Sequence, residues 1–360
     1  MITRLVLALA ALCFTTPAFS ADISTISPQV EALLAARADM DEPGYAVGVV
    51  VGGELALTVN RGVADLSDGT PISATTVFNL ASLSKQFTGA AVAREIHQGR
   101  LALESPLRAH VPSFPAYADP VRVDHLVFMT SGLAEYYDVT PPTGASWRGH
   151  FTLDDAITAV ANYGALRYAP GTRWTYSNIN YMLMTKVVER TSGVDFPAYM
   201  QQAFFGPLGM SQTLVHASLD TPITDLAKGY ESTFTGWRTV PRRAAHYGGS
   251  GVFSSIEDLA KWDAALRNHT VDGPGFTEVL LSTKRFAHDK DNDAFGIVHG
   301  AHQGRETHWY AGNDFPYTSH MLRFPEADVS IYVLSNREGG RASDVARALA
   351  GLLIEGGVIE

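Results

Sequence analysis

The sequence contains almost no cysteine. Of its 360 residues only Cys13 is a cysteine, and it lies within the first twenty. A single cysteine cannot form an internal disulfide, and it cannot supply the several thiolates of a cysteine metal site. Because we expect the segment that holds Cys13 to be removed, the mature protein would have no cysteine nucleophile either.

Basic residues are fewer than acidic ones. The chain has 27 Lys and Arg against 37 Asp and Glu, for a formal net charge of -10 at pH 7. It has no run rich in Lys or Arg and no stripe that mixes basic with aromatic residues. Nucleic acids and anionic membranes bind to such basic surfaces. We therefore expect neither as a partner.

The main long apolar run stands at the start of the chain. Residues 1–20 hold Arg4, the apolar run Leu5–Phe14 and the segment Ala18-Phe19-Ser20. This order is typical of a secretory signal peptide, cut here before Ala21. The apolar run is shorter than the roughly 20 residues of a membrane span. We expect a soluble protein, exported to a bacterial periplasm or secreted, with no membrane insertion.

The patterns of strands and helices differ along the chain. Ser27-Pro28 predicts a helix with Ser27 at its N-cap, and Gly52-Gly53 predicts the turn of a β-hairpin. The hairpin strands are Tyr45–Val51 and Leu55–Asn60, and a short strand is predicted around Val77-Phe78. Later strand patterns cover Phe295–His299, Thr307–Tyr310, Ser319–Phe324 and Val329–Ser335, before a helix at Ser343–Ile354. The middle is rich in proline and mostly helical, with patterns at Ala156–Val160, Met182–Arg190 and Phe196–Phe205.

Strands at both ends and helices between them predict two interlocked domains. We expect a discontinuous α/β domain formed by residues 21–100 and 245–360, with an antiparallel sheet flanked by helices. Residues 101–244 would form a mainly helical, all-α insert. A site between the two domains would be the expected place for a ligand.

Ser82 and Lys85 form the only Ser-x-x-Lys of the chain. Residues three apart share one face of a helix, so the hydroxyl and the ammonium would meet if a helix begins here. A serine becomes a nucleophile when a neighbouring group takes its proton, which a lysine one turn away can assist. The apolar residues that follow, from Phe87 to Ile96, predict a buried helix.

Two further segments carry suitable side chains. Tyr176 and Asn178 stand before an apolar helix, where both could face a cleft. A tyrosine acts as a base when a cation such as Lys85 stabilises its phenolate, and an asparagine can donate to a substrate carbonyl and accept from Lys85. In the third segment, Tyr310 to Asn313, Gly312 would let a substrate lie close to the backbone. The amides of Asn313 and Ser82 could form an oxyanion hole.

Together these segments resemble the serine β-lactamase and penicillin-binding-protein superfamily, in its branch of class C β-lactamases, D,D-peptidases and esterases. The resemblance covers roughly Val47 to Asn336. It includes the segments Met129–Leu133, Tyr168–Thr172, Gly249–Ser254 and Leu334–Asn336. It implies the β-lactamase/transpeptidase-like fold. It also implies that Ser82 is the nucleophile, that Lys85 and Tyr176 share the role of general base, and that Asn178 orients the substrate.

The third segment departs from the pattern of the resembled family, in which a Lys-Thr-Gly or His-x-Gly motif reads the substrate carboxylate. Aligning Gly312 puts Tyr310 in place of the cation and Ala311 in place of the hydroxyl. Making His308 the first residue would put Tyr310 at the glycine, which a closely packed substrate would not tolerate. The departure favours an ester or an amide without that carboxylate, although Arg173 or Arg305 could compensate.

The sequence thus predicts a serine hydrolase that acts on a small acyl substrate through an acyl-enzyme on Ser82. An esterase or a β-lactamase-like hydrolase of small esters or amides is the first hypothesis. A β-lactamase or a D,D- or D-amino-acid peptidase is the second, and a penicillin-recognising sensor without turnover is the third. Presence of all three of Ser82, Lys85 and Tyr176 favours an active enzyme. The oligomeric state stays open.

A metal site is not expected. His299, His302, His308 and His320 fall in one region, but no His-Glu-x-x-His or comparable spacing is present. We interpret these residues as solvated histidines and expect no metal and no organic cofactor.

Overall fold

The structure, a computed structural model, describes residues 23–139, 150–283 and 292–360. The predicted signal peptide of residues 1–20 lies outside the described residues. No helix in the described part of the chain is long and apolar enough to cross a membrane.

The described helices and strands are as follows. The α-helices are α1 Ser27–Ala35, α2 Lys85–His97, α3 Leu107–His110, α4 Val123–Val127, α5 Leu153–Tyr163, α6 Asn178–Ser192, α7 Phe196–Met200, α8 Ile256–Arg267, α9 Pro274–Leu280 and α10 Ala342–Glu355. The strands are β1 Tyr45–Val51, β2 Glu54–Arg61, β3 Val63–Asp65, β4 Thr70–Pro71, β5 Phe78–Asn79, β6 Phe151–Thr152, β7 Leu214–Val215, β8 Tyr230–Thr233, β9 Gly236–Thr239, β10 Ala244–Ala245, β11 Val252–Ser254, β12 Asn292–Ala294, β13 Ile297–His302, β14 Arg305–Asp314, β15 Tyr317–Phe324 and β16 Val329–Ser335.

A seven-stranded antiparallel sheet joins the two ends of the chain, in the order β12-β13-β14-β15-β16-β1-β2. The hairpin β1–β2 adds to the late strands through β16, where Val47 pairs with Val333. Both the hairpin and the late strands were predicted. The short strand β5 belongs instead to a small sheet with β11 and β7, and it leads directly into the Ser82 turn.

Each face of the large sheet buries a different set of side chains. Alternate residues of a strand point to opposite faces. Val47 and Val49 therefore pack in the cluster that contains α1 and α10, whereas Ala46 and Val50 join the larger core. That larger core includes α2 and the helices of the middle segment without interruption. The division into two domains stays a prediction.

One predicted helix start is wrong. The sequence placed Ser27 at the N-cap of α1, but Ser27 is the first helical residue and Ile26 occupies the cap, without a side-chain hydrogen bond. The reason is the preceding 3-10 turn Ile23–Ile26, because the chain already follows a helical path when it reaches Ser27.

Candidate active site

Ser82 lies in a tight turn in front of a buried helix. The turn Ala81–Ser84 is 3-10 helical and continues into α2. Ala81 has a φ of 51°, a conformation that costs free energy in a residue other than glycine. Its N–H donates to Asn79 Oδ1 at 2.9 Å, which helps to hold the turn. Ser82 is therefore presented on a constrained turn, where the sequence had predicted the first turn of an α-helix.

Lys85, the first residue of α2, is fully buried beneath Ser82. Its Nζ donates to Tyr176 Oη at 2.7 Å, Asn178 Oδ1 at 2.7 Å and the Gly249 carbonyl at 2.6 Å. The distance from Nζ to Ser82 Oγ is longer, 3.4 Å. An ammonium has three protons, so the three short contacts use all of them. The amine of Lys85 thus faces Tyr176 more closely than Ser82.

Tyr176 stands between the lysine and the serine. Its Oη lies 2.7 Å from Ser82 Oγ and 2.7 Å from Lys85 Nζ. The Lys85 ammonium also lies 4.8 Å from the centre of the Tyr176 ring. The Tyr176 oxygen is therefore within hydrogen-bonding distance of the serine hydroxyl and of the lysine amine. The geometry gives Tyr176 the shorter path for accepting the serine proton.

Asn178 begins α6, and a half-buried acid, Glu135, fixes its position. Glu135 accepts hydrogen bonds from Asn178 N at 2.6 Å, from Asn178 Nδ2 at 3.3 Å and from Ser177 Oγ at 2.9 Å. With Nδ2 turned to Glu135, Oδ1 is directed toward Lys85. Burial raises the pKa of Glu135, although the hydrogen bonds from Ser177 and Asn178 act in the opposite direction. Glu135 therefore holds the loop that carries Tyr176 and Asn178.

Strand β14 packs against the Ser82 turn. A Cβ on Gly312 would overlap the Leu80 carbonyl and Ser319 Oγ and would lie 2.9 Å from Ala81 Cβ. Ser319 on β15 donates to that same carbonyl at 2.6 Å. Glycine is required here because the backbone of β14 comes this close to the turn.

Two neighbours of Gly312 have opposite environments. Asn313 is exposed, whereas Tyr310 is 5% exposed and belongs to the main core. Burial raises the pKa of Tyr310 well above its usual value. Tyr310 is therefore a neutral phenol and cannot replace the positive charge of a Lys or His at this position.

A cavity of about 580 Å³ opens at Ser82. Its walls are formed by the Ser82 turn, the loop that carries Tyr176, β14 and the start of α10. It is lined by Ser82, Tyr176, Ala311, Gly312, Asn313, Phe315, Pro316, Thr318, Glu338, Gly339, Arg341, Ala342 and Ser343. The structure thus brings Ser82, Tyr176, Gly312 and Asn313 to one cavity and leaves Tyr310 outside its wall.

Comparison with known proteins agrees with this arrangement. The family model described as Beta-lactamase matches residues 30–355. The chain belongs to the beta-lactamase family. The predicted resemblance and the predicted fold are thereby confirmed, and the prediction of a hydrolase agrees with this family.

Members and neighbours of the beta-lactamase family differ in their named activities. A D-aminopeptidase of Gluconobacter oxydans (strain 621H) is 26% identical over 333 residues, which are 91% of this chain and 62% of that protein. The chain thus spans about three fifths of that relative. A penicillin binding protein from Bacillus halodurans is 25% identical with a TM-score of 0.76, over 90% of this chain and 99% of that one. D-amino acid amidase from Ochrobactrum anthropi SV3, complexed with D-phenylalanine, is 18% identical with a TM-score of 0.77, over 92% and 99% of the two chains.

A cation does line the cavity of this beta-lactamase family member, but not one that the sequence suggested. Arg305 donates to the Glu360 carbonyl at 2.8 Å, and Arg173 lies 5.8 Å from the Tyr168 ring centre. Neither residue lines the cavity. Arg341 does, at the start of α10, with 78% of its side chain exposed. Arg341 is thus a cation in the cavity wall, and it forms an ion pair with Asp344 at 3.6 Å.

Two groups of the site were not assigned from the sequence. The Gly249 carbonyl accepts a hydrogen bond from Lys85, and the Glu135 carboxylate accepts one from Asn178. Gly249 belongs to one of the segments that carry the resemblance, and Glu135 follows another by two residues. A charged residue so close to the segment Met129–Leu133 was the available signal for Glu135. A backbone carbonyl has no such signal.

The prediction of solvated histidines is wrong for two of the four. His308 and His320 are buried, and burial lowers the pKa of each to about 3. His299, Glu306 and His308 are the one group of described residues that could hold a metal, with donor atoms within 4.8 Å of one another. The positive charge of Arg323 acts on His308 and opposes a cation there. The group lies along β13 and β14, outside the Ser82 cavity.

Proposed function

We propose that this protein is a serine acyl hydrolase that cleaves small esters and amides through an acyl-enzyme on Ser82. The observation that carries the proposal is the chain of contacts from Ser82 Oγ to Tyr176 Oη to Lys85 Nζ, each 2.7 Å. A nucleophile, a base and a cation that activates the base are then in direct contact. The cavity at Ser82 gives a substrate access to the hydroxyl.

The reaction divides into two steps with one set of groups. Ser82 Oγ attacks the substrate carbonyl as its proton passes to the Tyr176 oxygen, and the carbonyl oxygen becomes an oxyanion. The C–O or C–N bond to the leaving group then breaks, and the leaving group takes the proton from Tyr176. Water repeats the attack on the acyl-enzyme, gives its proton to Tyr176, and releases the acid and Ser82. In the proposal the amides of Ser82 and Asn313 stabilise the oxyanion.

Hydrolysis of D-amino acid amides or peptides is a second candidate, and Asp314 favours it. Asp314 follows Asn313 and accepts a hydrogen bond from Asn79 Nδ2 at 2.8 Å, beside the Ser82 turn. A carboxylate next to the proposed oxyanion site could bind the ammonium of an amino-acyl group. The similarity to a D-aminopeptidase and to a D-amino acid amidase also supports this second candidate. A sensor without turnover has less support, because Ser82, Lys85 and Tyr176 are all present and in contact.

Export remains part of the proposal. It depends on the sequence pattern of residues 1–20. Detection of the mature protein, beginning at Ala21, in a periplasmic or culture fraction would test it.

The test compares substrates on one preparation. We expect 4-nitrophenyl butyrate to be hydrolysed with measurable kcat/KM and the Ser82→Ala variant to lose at least about 10³-fold. D-alanine 4-nitroanilide tests the second candidate, and nitrocefin tests β-lactam hydrolysis. Ester hydrolysis within tenfold of wild type in Ser82→Ala would contradict the nucleophile assignment. Nitrocefin exceeding the ester by more than tenfold would identify a β-lactamase instead.

A further inference from the structure

A second cavity, of about 640 Å³, adjoins the Ser82 cavity. The two share Phe315 and Pro316 in their walls. The second cavity is also lined by Asn79, three residues before Ser82, and by Asp314, next to Asn313. Neither Ser82 nor Tyr176 is among its lining residues. It is therefore a separate space that begins beside the nucleophile turn and the end of β14.

The chemistry of acyl transfer assigns a part of the substrate to each cavity. This step rests on the proposed function. The leaving group receives its proton from Tyr176, and Tyr176 lines the first cavity. A carbonyl carbon carries the leaving group and the acyl chain on different sides. The leaving group therefore occupies the cavity with Tyr176, and the acyl chain extends into the second one.

Arg242 lines this second cavity and is held in place by uncharged groups. Its Nη2 lies 2.7 Å from His216 Nδ1, and its guanidinium carbon lies 4.9 Å from the Phe253 ring centre. His216 Nε2 lies 2.8 Å from the Thr221 carbonyl. A carbonyl can only accept, so Nε2 carries the proton and Nδ1 is free to accept from Arg242. Burial is the main cause that lowers the pKa of His216, and the Arg242 charge acts in the same direction.

The positive charge of Arg242 has no carboxylate partner. Within residues 23–139, 150–283 and 292–360, no carboxylate oxygen lies within 4.0 Å of its guanidinium. Arg238 lines the same cavity but pairs with Glu231, with an N–O distance of 2.7 Å. Burial lowers the pKa of Arg242, and the more distant Asp314 carboxylate opposes this only in part, so an anion in direct contact would stabilise the guanidinium. Its N–H groups also have the geometry that binds a carboxylate through two hydrogen bonds.

We propose that Arg242 binds a carboxylate carried by the acyl part of the substrate. The preferred substrates would then be esters or amides of dicarboxylic acids or of acidic amino acids. His216 and Phe253 orient the guanidinium as positioning residues, without contact to the reacting atoms.

The test uses two esters that differ in one charge. Mono(4-nitrophenyl) glutarate and its methyl ester have the same acyl chain, with and without a carboxylate. In the wild type we expect kcat/KM to favour the charged ester by about ten- to hundredfold, the usual effect of a charge-assisted hydrogen bond. Arg242→Gln should bring this ratio to about one and leave hydrolysis of the methyl ester largely unchanged.

Arg238→Gln is the matched control. It removes the same charge from the same cavity, but from an arginine that already has a partner. We expect it to change the ratio by less than about threefold, because the effect of a paired, exposed charge is small. An equal loss in Arg238→Gln and Arg242→Gln would show a general field effect and contradict the assignment.

A binding experiment separates this inference from the proposed function. Calorimetric titration of Ser82→Ala with glutaranilic acid and with methyl glutaranilate requires no turnover. Binding of the acid that is at least about tenfold tighter, and lost in Ser82→Ala/Arg242→Gln, would support the inference even if neither ester were hydrolysed. Equal affinities for the two compounds, or a preference unaffected by Arg242→Gln, would overturn it.

Discussion

The Ser82 turn and strand β14, which packs against it, contribute to the site in different ways. Around the turn, side chains carry the proposed chemistry, and Lys85 alone makes three contacts of 2.7 Å or less. On β14, Gly312 contributes by having no side chain, and Tyr310 is turned into the core. The identity of each residue matters at the turn, whereas the close fit of the backbone matters on the strand. Substitutions in the turn should therefore lower activity by removing a chemical group, whereas substitutions on the strand should lower it by displacing the backbone.

Removing either residue of the proposed base should have the largest effect. We expect Lys85→Ala and Tyr176→Phe each to lower kcat for an ester by about 10²–10⁴. Because the proposed mechanism has the two residues act on one proton, the double variant should be little worse than the poorer single one. The measurement is kcat for 4-nitrophenyl butyrate in all four proteins. Penalties that multiply would show that Lys85 and Tyr176 act independently.

A methyl group on β14 should have the next largest effect. Gly312→Ala places a Cβ against Leu80, Ala81 and Ser319, so the strand must move away from the turn. Displacement of an oxyanion donor costs on the order of 10²–10³ in kcat, and we expect a loss approaching this range. The control is Ala311→Ser, which adds one atom to the neighbouring residue in the cavity wall and should change kcat by less than about tenfold. Equal effects of the two substitutions would contradict the importance of close packing.

The Tyr310 hydroxyl should matter much less. Its phenol is neutral and buried, so Tyr310→Phe removes no charge from the site. We expect kcat/KM for esters to stay within about threefold of wild type, at the weak end of a neutral hydrogen bond. A decrease above tenfold would show that Tyr310 takes part in the reaction.

The difference between turn and strand also explains what the sequence could predict. Ser82 and Lys85 are three residues apart, which places them on one side of a helical turn. Tyr176 and Asn178 are two apart, which places them on one side of an extended segment. The contact between Lys85 and the Gly249 carbonyl joins residues 164 positions apart and uses a backbone atom. Any residue at position 249 would have that carbonyl, so the type of residue there does not indicate the contact. Such contacts became known only from the structure.

The fold and the position of Tyr310 were also predictable only where they depend on local sequence. The hairpin β1–β2 and the late strands are rich in apolar, β-branched and aromatic residues and were predicted, as was the buried helix after Ser82. The 3-10 form of the Ser82 turn was not predicted, because it depends on contacts with Asn79 and Leu80. The burial of Tyr310 depends on which face of β14 packs against the core, and a three-residue motif cannot specify this face.

The smallest expected effect is on stability at acid pH, through a histidine near both regions. Burial lowers the pKa of His246 to about 4, with Asp314 raising it and Lys85 lowering it further. An unfolded histidine takes up a proton below about 6.5, but folded His246 does so only near 4. The unfolded state therefore binds more protons in this range, and stability falls as the pH decreases from about 6.5 to about 4.

Replacing His246 should weaken the dependence of folding stability on pH. His246→Asn should reduce the slope of the unfolding free energy against pH by at most about 1.4 kcal/mol per pH unit, the value for one proton. Buried His308 and His320 contribute in the same direction and should keep part of the slope. Denaturant unfolding between pH 4 and 7.5 measures it. An unchanged slope in His246→Asn would show that His246 is protonated equally in both states.

The most direct test of the central claim is to find the acyl group on the enzyme. Wild type and Ser82→Ala are mixed with 4-nitrophenyl butyrate, quenched in acid within one turnover and examined by intact-protein and peptide mass spectrometry. We predict a mass increase equal to one butyryl group, on the peptide that contains Ser82, in the wild type and not in the variant. Butyrylation of another residue, or the same adduct in Ser82→Ala, would contradict the acyl-enzyme on Ser82.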